Sequence, residues 1–366
     1  MYTLGLEEEL FIINPKDYSL VALSSTSLLT CCNENLEGLI KNEFYDCQIE
    51  INTPICPNIK NLKSSLYLIH EALFENGIKR DVTFLSTSTH PNESWKNQLH
   101  TSNDRYIILE ENLKFAVNRL LICSLQFHVG IPGIDLRFPI INYLRQFMPH
   151  LLALSTSSPF WEGGNSGFMS YRTPVSENLP RSNVPPFFNS MIDFDQYINM
   201  LVKTNTIIDG KEIWWDLRPH PFFPTIEFRV CDNPNDAEDS IALAALAQAL
   251  VVKIHKLIKN GITPQQEHFL IVQENKWRAA RYGLNGKFID GIHEAEINIK
   301  EAICQMLEWV DDIVGELDSR DEIMHIYKIM DRGTSAVQQL NSYEKTGSFE
   351  LVIKDLLNNK QNSICK

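Results

Sequence analysis

The segment GLEEELFII, residues 5–13, is the most informative part of the chain because three consecutive acids interrupt an otherwise apolar run. Side chains of a strand point alternately to its two faces. Glu7 and Glu9 therefore share one face, and Glu8 lies on the other. Burying an unpaired carboxylate in a strand is costly, so such groups are normally paired, protonated or bound to a cation. The segment predicts a strand over residues 3–13 that directs two acids at a common site.

Outward from this segment, strand-like and helical patterns interleave. Further strands are predicted at residues 45–53, 82–89 and 125–131, and in IWWDLR (213–218) and TIEFRV (225–230), which the turn-forming PHPFFP joins as a hairpin or as adjacent strands. Helical spacing is found at residues 62–79, 104–124 and 136–154, and from 237 onward with breaks near 261, 283–286 and 333. A loop rich in Gly and Pro spans residues 157–186.

These patterns predict a mixed α+β fold in a single domain, residues 1–366. The sheet-rich part is expected at about residues 1–235 and the helix-rich part at about residues 236–366. The chain lacks the regular strand and helix alternation of a doubly wound sheet, and neither GxxxxGKS/T nor GxGxxG is present. The common nucleotide-binding folds are therefore disfavoured.

Composition narrows the range of partners. The 366 residues carry a formal net charge of −13, which argues against binding along a nucleic-acid backbone, where clustered Lys and Arg are needed. The eight cysteines are scattered without a CxxC pair, as expected for reduced thiols of the cytosol. The chain begins without the basic and apolar regions of a signal peptide, and no uninterrupted apolar run approaches a membrane span. We therefore expect a cytoplasmic protein that binds neither nucleic acid nor membrane.

Four predicted strands each offer a metal-binding group on one face. The groups are Glu7 with Glu9, Glu50, His128 and Glu227. Carboxylate oxygens favour Mg²⁺ or Mn²⁺ over zinc. Taken singly, each acid is also explained by an ion pair or a solvated strand edge, and the histidine by a satisfied position in the core. Bound metal ions would account for all of the groups together.

The sequence also offers cations but no evident nucleophile. Arg229 shares a strand face with Glu227, and Arg172 lies in the loop at residues 157–186, so that both could clamp a phosphate or a substrate carboxylate. A simple Glu–Arg pair explains IEFRV (226–230) equally well. GGNSG (163–167) is interpreted as a turn rather than a phosphate cradle, because no helix begins beside it. Neither a GxSxG elbow nor a cysteine with evident His and Asn partners is found, so covalent catalysis is not indicated.

Several segments, in the same order, resemble the bacterial carboxylate–amine ligase family related to glutamate–cysteine ligase. They are GLEEEL, CQIEINTP, FHVG, SSPFWEG, SYRTP, LPRS, EIWWDLRPHP, IEFRVCD and ENKWRAARYGL, which together cover about residues 3–285. The resemblance implies a glutamine-synthetase-like catalytic fold, in which a curved, mainly antiparallel sheet flanked by helices holds metal ions, ATP and an acid substrate. It also implies an ATP-dependent carbon–nitrogen ligase that forms an amide through an acyl phosphate, with glutamate and cysteine as first candidate substrates.

The resemblance further implies roles for individual residues. Metal-binding positions are Glu7, Glu9, Glu50, His128 and Glu227, the catalytic pair is Glu227 with Arg229, and positions that bind the nucleotide or line the site are Arg172, Arg229, Asn275, Trp277 and Arg281. Two departures concern the substrate. The HVHVG pattern of the family reads QFHVG here, with Gln126, and Gly164 stands where the family usually has a charged residue.

Two other functions remain open on the sequence. One is a phosphagen-kinase-like phosphotransferase on a related fold, and the other is a nucleotide-binding protein with a degenerate, inactive site. In each case the expected ligands are small molecules, with an amino-acid carboxylate and an amine as the substrates of a ligase. The helical surplus near the C-terminus could serve a homodimer interface.

Overall fold

The computed structural model describes residues 2–23 and 38–364. Five cysteines in these ranges are free thiols, as the sequence predicts: Cys47, Cys56, Cys123, Cys231 and Cys304. Cys31, Cys32 and Cys365 lie outside the described residues.

A seven-stranded sheet forms the centre of the described chain. The strands in the described residues are β1 (Leu4–Ile13), β2 (Ile40–Asn42), β3 (Gln48–Asn52), β4 (Thr83–Leu85), β5 (Ser124–Gly130), β6 (Phe160–Trp161), β7 (Gly164–Asn165), β8 (Ser182–Asn183), β9 (Trp214–Trp215), β10 (Leu217–Pro219), β11 (Thr225–Asp232), β12 (Lys287–Asp290) and β13 (Ala295–Asn298). The central order is β10-β11-β5-β1-β3-β2, with β4 paired to β1, and every pair in this sheet is antiparallel. The predicted hairpin of β10 and β11 is present.

Within residues 2–23 and 38–364, α-helices pack around this sheet. They are α1 (Ile59–Ile78), α2 (Asp104–Leu113), α3 (Phe115–Asn118), α4 (Arg137–Leu144), α5 (Met148–Ser155), α6 (Arg172–Ser176), α7 (Met191–Lys203), α8 (Ala237–Lys259), α9 (Phe269–Tyr282), α10 (Ile299–Glu316), α11 (Arg320–Arg332), α12 (Ser335–Thr346) and α13 (Phe349–Ile364). Helices combined with a mainly antiparallel sheet confirm the predicted α+β class.

The alternation predicted for β1 is found in the structure. Leu6 and Leu10 face the main hydrophobic cluster, whereas Phe11 belongs to a second cluster on the other side. Glu8 points into the main core, where its Oε2 lies 2.6 Å from Nε2 of His70 on α1. The acid on the apolar face is therefore paired, as burial of a carboxylate requires.

Helix α8 is a long helix whose residues are mostly buried. It begins at Asp236, whose side chain accepts a hydrogen bond from the backbone N–H of Glu238, as in a standard N-cap. It is long and apolar enough to span a membrane by composition, but 78% of its most apolar window is buried inside the structure. This identifies it as a core helix. Its residues and those of α10 share one hydrophobic cluster with the central sheet, although the division of the chain into domains stays a prediction.

Three sequence predictions about elements were wrong in extent. The predicted helix at 104–124 breaks at Lys114, which has a φ of 50°, and the residues before β5 are extended because Cys123 N–H donates to Ser88 O. The predicted helix at 136–154 is interrupted by a 3₁₀ turn at Arg145–Phe147. The hairpin of β12 and β13 lies in a region expected to be helical. In each case tertiary contacts override local periodicity.

Candidate active site

The register of the central sheet places predicted site residues on one face. Glu9 of β1 lies opposite Glu50 of β3. His128 of β5 lies opposite Glu227 of β11. Because directly opposed side chains of an antiparallel pair are close neighbours, residues distant in sequence form one polar surface.

Three carboxylates converge at one end of this surface. One carboxylate oxygen from each of Glu9, Glu43 and Glu50 lies within 4.8 Å of the others. Burial raises the pKa of all three, and the neighbouring charges of Glu9 and Glu50 add to the effect on Glu43, whose pKa is raised well above its usual range. In the described part of the chain, their one ion-pair partner within 4.0 Å is Lys41, whose Nζ lies 3.2 Å from Oε1 of Glu50. Mutually repelling oxygen donors of this kind suit a hard divalent cation.

Glu43 was missed by the sequence analysis. It comes directly after β2, a three-residue edge strand without clear alternation. Only the pairing of β2 with β3, which sets Lys41 opposite Glu50, brings Glu43 to the site. The sequence contains no periodic signal from which this position could have been found.

Glu7 and His128 form the next part of the surface. Nε2 of His128 lies 3.2 Å from Oε1 of Glu7, and its Nδ1 is hydrogen-bonded to the hydroxyl of Thr225 at 3.2 Å. Burial opposes the charged forms of both groups, but their contact outweighs it, so the pKa of Glu7 is lowered and that of His128 is raised. A divalent cation would compete with the imidazole proton for the same pair of ligands.

Glu227 is held by two arginines. Arg218 makes a bidentate contact with Glu227, with Nε 2.8 Å from Oε2 and Nη2 3.0 Å from Oε1. Nη1 of Arg229 lies 2.6 Å from Oε1 of the same carboxylate. Burial alone would raise the pKa of Glu227, but the two guanidinium charges hold it well below its usual range. Arg218 was not predicted, although its place in WDLRP opposite Glu227 is a consequence of the predicted hairpin. Glu227 is thus an anchor for arginines in this structure.

Gln126 joins the acid cluster to the arginines. Its Nε2 donates to Oε1 of Glu9 at 3.0 Å, and its Oε1 accepts from Nη1 of Arg229. The Ser124 backbone N–H and hydroxyl also donate to Glu9, each at 2.7 Å. The departure from the family pattern at Gln126 therefore preserves a donor toward the carboxylate and an acceptor toward the guanidinium.

A cavity of about 190 Å³ opens beside the acid cluster. Its polar wall includes Arg172 and Lys276, and Lys276 is only 2% exposed. Nζ of Lys276 lies 2.6 Å from Oδ2 of Asp216 and 2.7 Å from Oε1 of Glu177. The apolar wall is formed by Phe44, Tyr106, Leu109, Val117, Leu120 and Ile122. A pocket with charged groups of both signs facing an apolar wall suits a small zwitterionic molecule.

Arg172 is fixed at the cavity by a buried network. Its guanidinium donates to the backbone oxygens of Arg229, at 2.9 Å, and Val230, at 3.3 Å. Asp232, which is fully buried, accepts hydrogen bonds from the hydroxyls of Ser158 and Ser170 at 2.7 and 2.8 Å. The loop at 157–186 is thereby attached to β11, which carries Arg229.

The remaining predicted residues lie further from the acid cluster. Both amide atoms of Asn275 are hydrogen-bonded at 2.7 Å to the backbone of Ile289, which ties α9 to β12. Trp277 is 47% exposed. Arg281 donates to Gly167 O and lies over the ring of Phe168. The segment that contains them does reach the site, but through Lys276, a side chain that the sequence analysis did not single out.

The GGNSG segment forms a tight hairpin, β6 with β7, rather than a helix-associated cradle. Gly163 and Gly167 have φ values of 79° and 78°, conformations that favour glycine. Gly164 is exposed on the short strand β7. The interpretation of this segment as a turn is confirmed.

The donor set fits divalent metal ions. The oxygen-rich group of Glu9, Glu43 and Glu50 and the mixed group of Glu7 and His128 lie on the same sheet face, with Mg²⁺ or Mn²⁺ preferred by carboxylate oxygens. Beside them, Arg229 offers a cation able to contact an anionic group. The arrangement can therefore hold metal ions and a phosphorylated ligand next to the cavity.

Comparison with protein families gives a match over nearly the whole chain. A family model described as glutamate-cysteine ligase family 2 matches residues 3–355. A relative from Roseiflexus castenholzii is 39% identical over 356 residues, covering 97% of this chain and 94% of the relative. One from Solibacter usitatus is 38% identical over 351 residues, covering 96% and 91%. Both carry the provisional name glutamate–cysteine ligase 2.

Solved structures show the same fold at low sequence identity. A glutamate–cysteine ligase from Francisella tularensis in complex with AMP superposes with a TM-score of 0.73 at 13% identity, covering all of this chain and 89% of that protein. A bifunctional glutathione synthetase from Pasteurella multocida gives a TM-score of 0.71 at 15% identity, covering 99% of this chain. The chain spans about half the length of that bifunctional protein, with 52% covered.

Proposed function

The chain belongs to glutamate–cysteine ligase family 2, and from that premise we propose that the polar face of its central sheet is the active site of an ATP-dependent carboxylate–amine ligase. The observation that carries this proposal is the convergence of Glu9, Glu43 and Glu50 beside Gln126 and Arg229. Carboxylates for metal ions and an arginine for phosphate are what phosphoryl transfer requires from a protein.

In the proposed reaction, a carboxylate oxygen of the acid substrate attacks the γ-phosphorus of ATP. The bond from this phosphorus to the oxygen bridging the β-phosphate breaks, and ADP leaves with that electron pair. The nitrogen of the amine then attacks the acyl carbon, the bond to the phosphate oxygen breaks, and inorganic phosphate leaves. A proton of the attacking nitrogen is released to water, and an amide remains. No protein nucleophile is needed.

The chain's own residues position and neutralise the reacting groups. Arg229 would contact the phosphoryl group as negative charge spreads over its oxygens. Glu227 and Gln126 hold that guanidinium in place, so it is oriented before the substrate arrives. Mg²⁺ or Mn²⁺ held by the acid groups would offset the charge of the phosphate oxygens.

For the substrates, we propose an amino acid as the acid and a second amino acid as the amine. The cavity supports this assignment because Arg172 and Lys276 line it as cations and Glu9, Glu43 and Asp216 line it as acids, so it offers groups of both signs to a zwitterion. The names of the relatives make glutamate and cysteine the first pair to try.

The inactive-site alternative has little support from Gln126. The glutamine keeps contacts with both Glu9 and Arg229, so the substitution does not take the site apart. We therefore expect turnover.

The test is ADP release by the purified protein with Mg²⁺ and ATP, against amino acids singly and in pairs, with mass detection of products. Release that needs both an acid and an amine, with an amide as product, supports the ligase. A stable phosphorylated product formed without an amine would favour a phosphotransferase. Nucleotide binding without turnover on any pair would favour an inactive site.

A matched pair of variants makes this test specific. Arg229→Met is expected to lower the rate by about 100-fold or more, as loss of one charge-stabilising donor typically does. Arg320→Met removes an arginine from an exposed pair with Asp311 and should leave the rate unchanged. Equal rates for both variants would contradict the role proposed for Arg229.

A further inference from the structure

His220 lies in the PHPFFP turn between β10 and β11, next to the metal-binding face. Its Nδ1 accepts hydrogen bonds from the backbone N–H groups of Phe223, at 2.9 Å, and Phe222, at 3.2 Å. A neutral imidazole that accepts at Nδ1 must carry its proton at Nε2. The turn therefore fixes the tautomer of this ring.

The ring is also held rigidly. It stacks on Phe223 with centroids 4.5 Å apart and an angle of 12° between planes. The His220 backbone oxygen accepts from Nη1 of Arg137 at 2.9 Å, and its N–H donates to Thr225 O at 3.1 Å. An imidazole that accepts backbone N–H groups at Nδ1 is the neutral form, so this geometry gives an N–H donor at Nε2 without a positive charge.

The position of this ring relates it to the site. Its centroid lies 5.3 Å from that of His128, in an edge-to-face arrangement, and His128 contacts Glu7. Within residues 2–23 and 38–364, no hydrogen bond is made by Nε2 of His220. His220 does not line the cavity that contains Arg172 and Lys276. A fixed N–H donor thus lies at the metal-binding face, away from the proposed substrate cavity.

We propose that His220 is a nucleotide-binding residue whose Nε2–H donates a hydrogen bond to a phosphate oxygen of the metal-bound nucleotide. Glu9, Glu43 and Glu50 on the same face would repel a phosphate without metal ions, so an oxyanion here would arrive with its cations. A neutral donor suits that situation, because it contacts phosphate without adding a positive charge that would compete with the metal. The inference rests on the proposed function.

Substitution of His220 with asparagine tests the Nε2–H donor separately from the Nδ1 acceptor. In His220→Asn, the side-chain oxygen can still accept from the backbone N–H groups of the turn, as asparagine commonly does, but the N–H donor at the far edge is lost. His268→Asn is the matched control. That exposed histidine also accepts a backbone N–H, from Leu270 at 3.3 Å, in the N-cap of α9.

The measurement is calorimetric binding of a non-hydrolysable ATP analogue with Mg²⁺ to the full chain, alongside its melting temperature without ligand. Loss of a hydrogen bond to a charged group should weaken binding by about 10-fold or more in His220→Asn. The melting temperature and the affinity for Mn²⁺ alone should stay at wild-type values, and His268→Asn should bind normally.

Three results would overturn the inference. Wild-type affinity for the analogue in His220→Asn would show that the donor is not used. Weaker binding of the acid substrate, with nucleotide binding intact, would assign the donor to a carboxylate instead. A lower melting temperature together with weaker Mn²⁺ binding would show a structural role only. If the wild-type protein itself does not bind the analogue, the proposed function fails rather than the role of His220.

Discussion

Glu227 and Glu43 lie on the same sheet face but in opposite electrostatic surroundings. Two arginines hold the pKa of Glu227 well below its usual range, so this side chain is ionised in any physiological condition. Burial and the charges of Glu9 and Glu50 raise the pKa of Glu43 well above its usual range. The first acid is paired within the protein, and a bound cation would stabilise the anionic form of the second.

This difference leads to a prediction for Glu43→Gln. The substitution removes one of three repelling carboxylates, so the free energy of unfolding without metal should rise, by about 1 kcal/mol. Removal of a ligand should weaken Mn²⁺ binding by about 10-fold or more. Urea unfolding without metal and electron paramagnetic resonance titration with Mn²⁺ measure the two effects.

The control is the same substitution at an exposed acid, Glu71→Gln on α1. It should change neither quantity. Unaltered Mn²⁺ affinity in Glu43→Gln would remove Glu43 from the metal site.

Helix α1 is fixed against β4 by close contact at Gly77. A Cβ at this position would lie 2.8 Å from the backbone oxygen of Val82 and 2.8 Å from the ring of Phe84. Alanine normally stabilises a helix relative to glycine, by about 1 kcal/mol. Here the clash with backbone should dominate, so Gly77→Ala is expected to lower the free energy of unfolding by about 1–3 kcal/mol, measured by urea denaturation.

Gly315→Ala provides the comparison within α10. The nearest atom to its new Cβ is Nη2 of Arg320 at 3.9 Å, which is ordinary contact. This variant should be neutral or stabilised by up to about 1 kcal/mol. Stabilisation of both alanine variants would contradict the close contact of α1 with β4 at Gly77.

At the level of elements, the sequence was sufficient where periodicity and packing agree. Strand β1 and the hairpin of β10 and β11 were predicted because their alternation matches their two environments. The helix predicted at 104–124 was too long because its apolar spacing indicates a buried face. Ile107 and Phe115, which complete this apolar face, are in fact 49% and 63% exposed. Apolar spacing alone could not show that the residues just before β5 are extended rather than helical.

At the scale of the whole molecule, we expect the free energy of unfolding to fall in mild acid because of the buried His90. Burial lowers its pKa to about 4, its Nε2 donates to Tyr18 O at 3.0 Å, and its Nδ1 accepts from the N–H of Glu93. The unfolded chain has an ordinary histidine pKa of about 6.5 and takes up a proton that the native state does not. The contribution of His90 is therefore present above pH 6.5 and is lost as the pH falls toward 4.

The measurement is urea unfolding at pH 7 and pH 5 for the wild-type protein and His90→Gln, which keeps a donor toward Tyr18. His90 should account for a loss of about 2 kcal/mol between these pH values, so the variant should lose correspondingly less. The carboxylates of the site titrate in both proteins, so their contribution to the pH dependence of the unfolding free energy cancels in the difference between wild type and variant. Identical pH profiles would contradict a neutral, buried His90.

The site residues on the predicted strands could be found from the sequence, but those placed by tertiary packing could not. Glu7, Glu9, Glu50 and His128 were assigned to one face by strand alternation and by family resemblance, and the register brings them together. Glu43, Arg218 and Lys276 were missed because an edge strand, a hairpin register and a helix packed across the cavity position them. Such positions depend on tertiary packing, which a single sequence does not display.

The pairing of Glu8 with His70 also bears on how reliably the chain folds. A shift of β1 by one residue against its neighbours would turn Glu7 and Glu9 into the apolar core and Glu8 out of it. His70 could then compensate one of the two inward acids, and the other would be left costly and unpaired. Burial of Glu7 and Glu9 therefore disfavours the shifted pairing, and the contact between Glu8 and His70 favours the register in which the site is assembled.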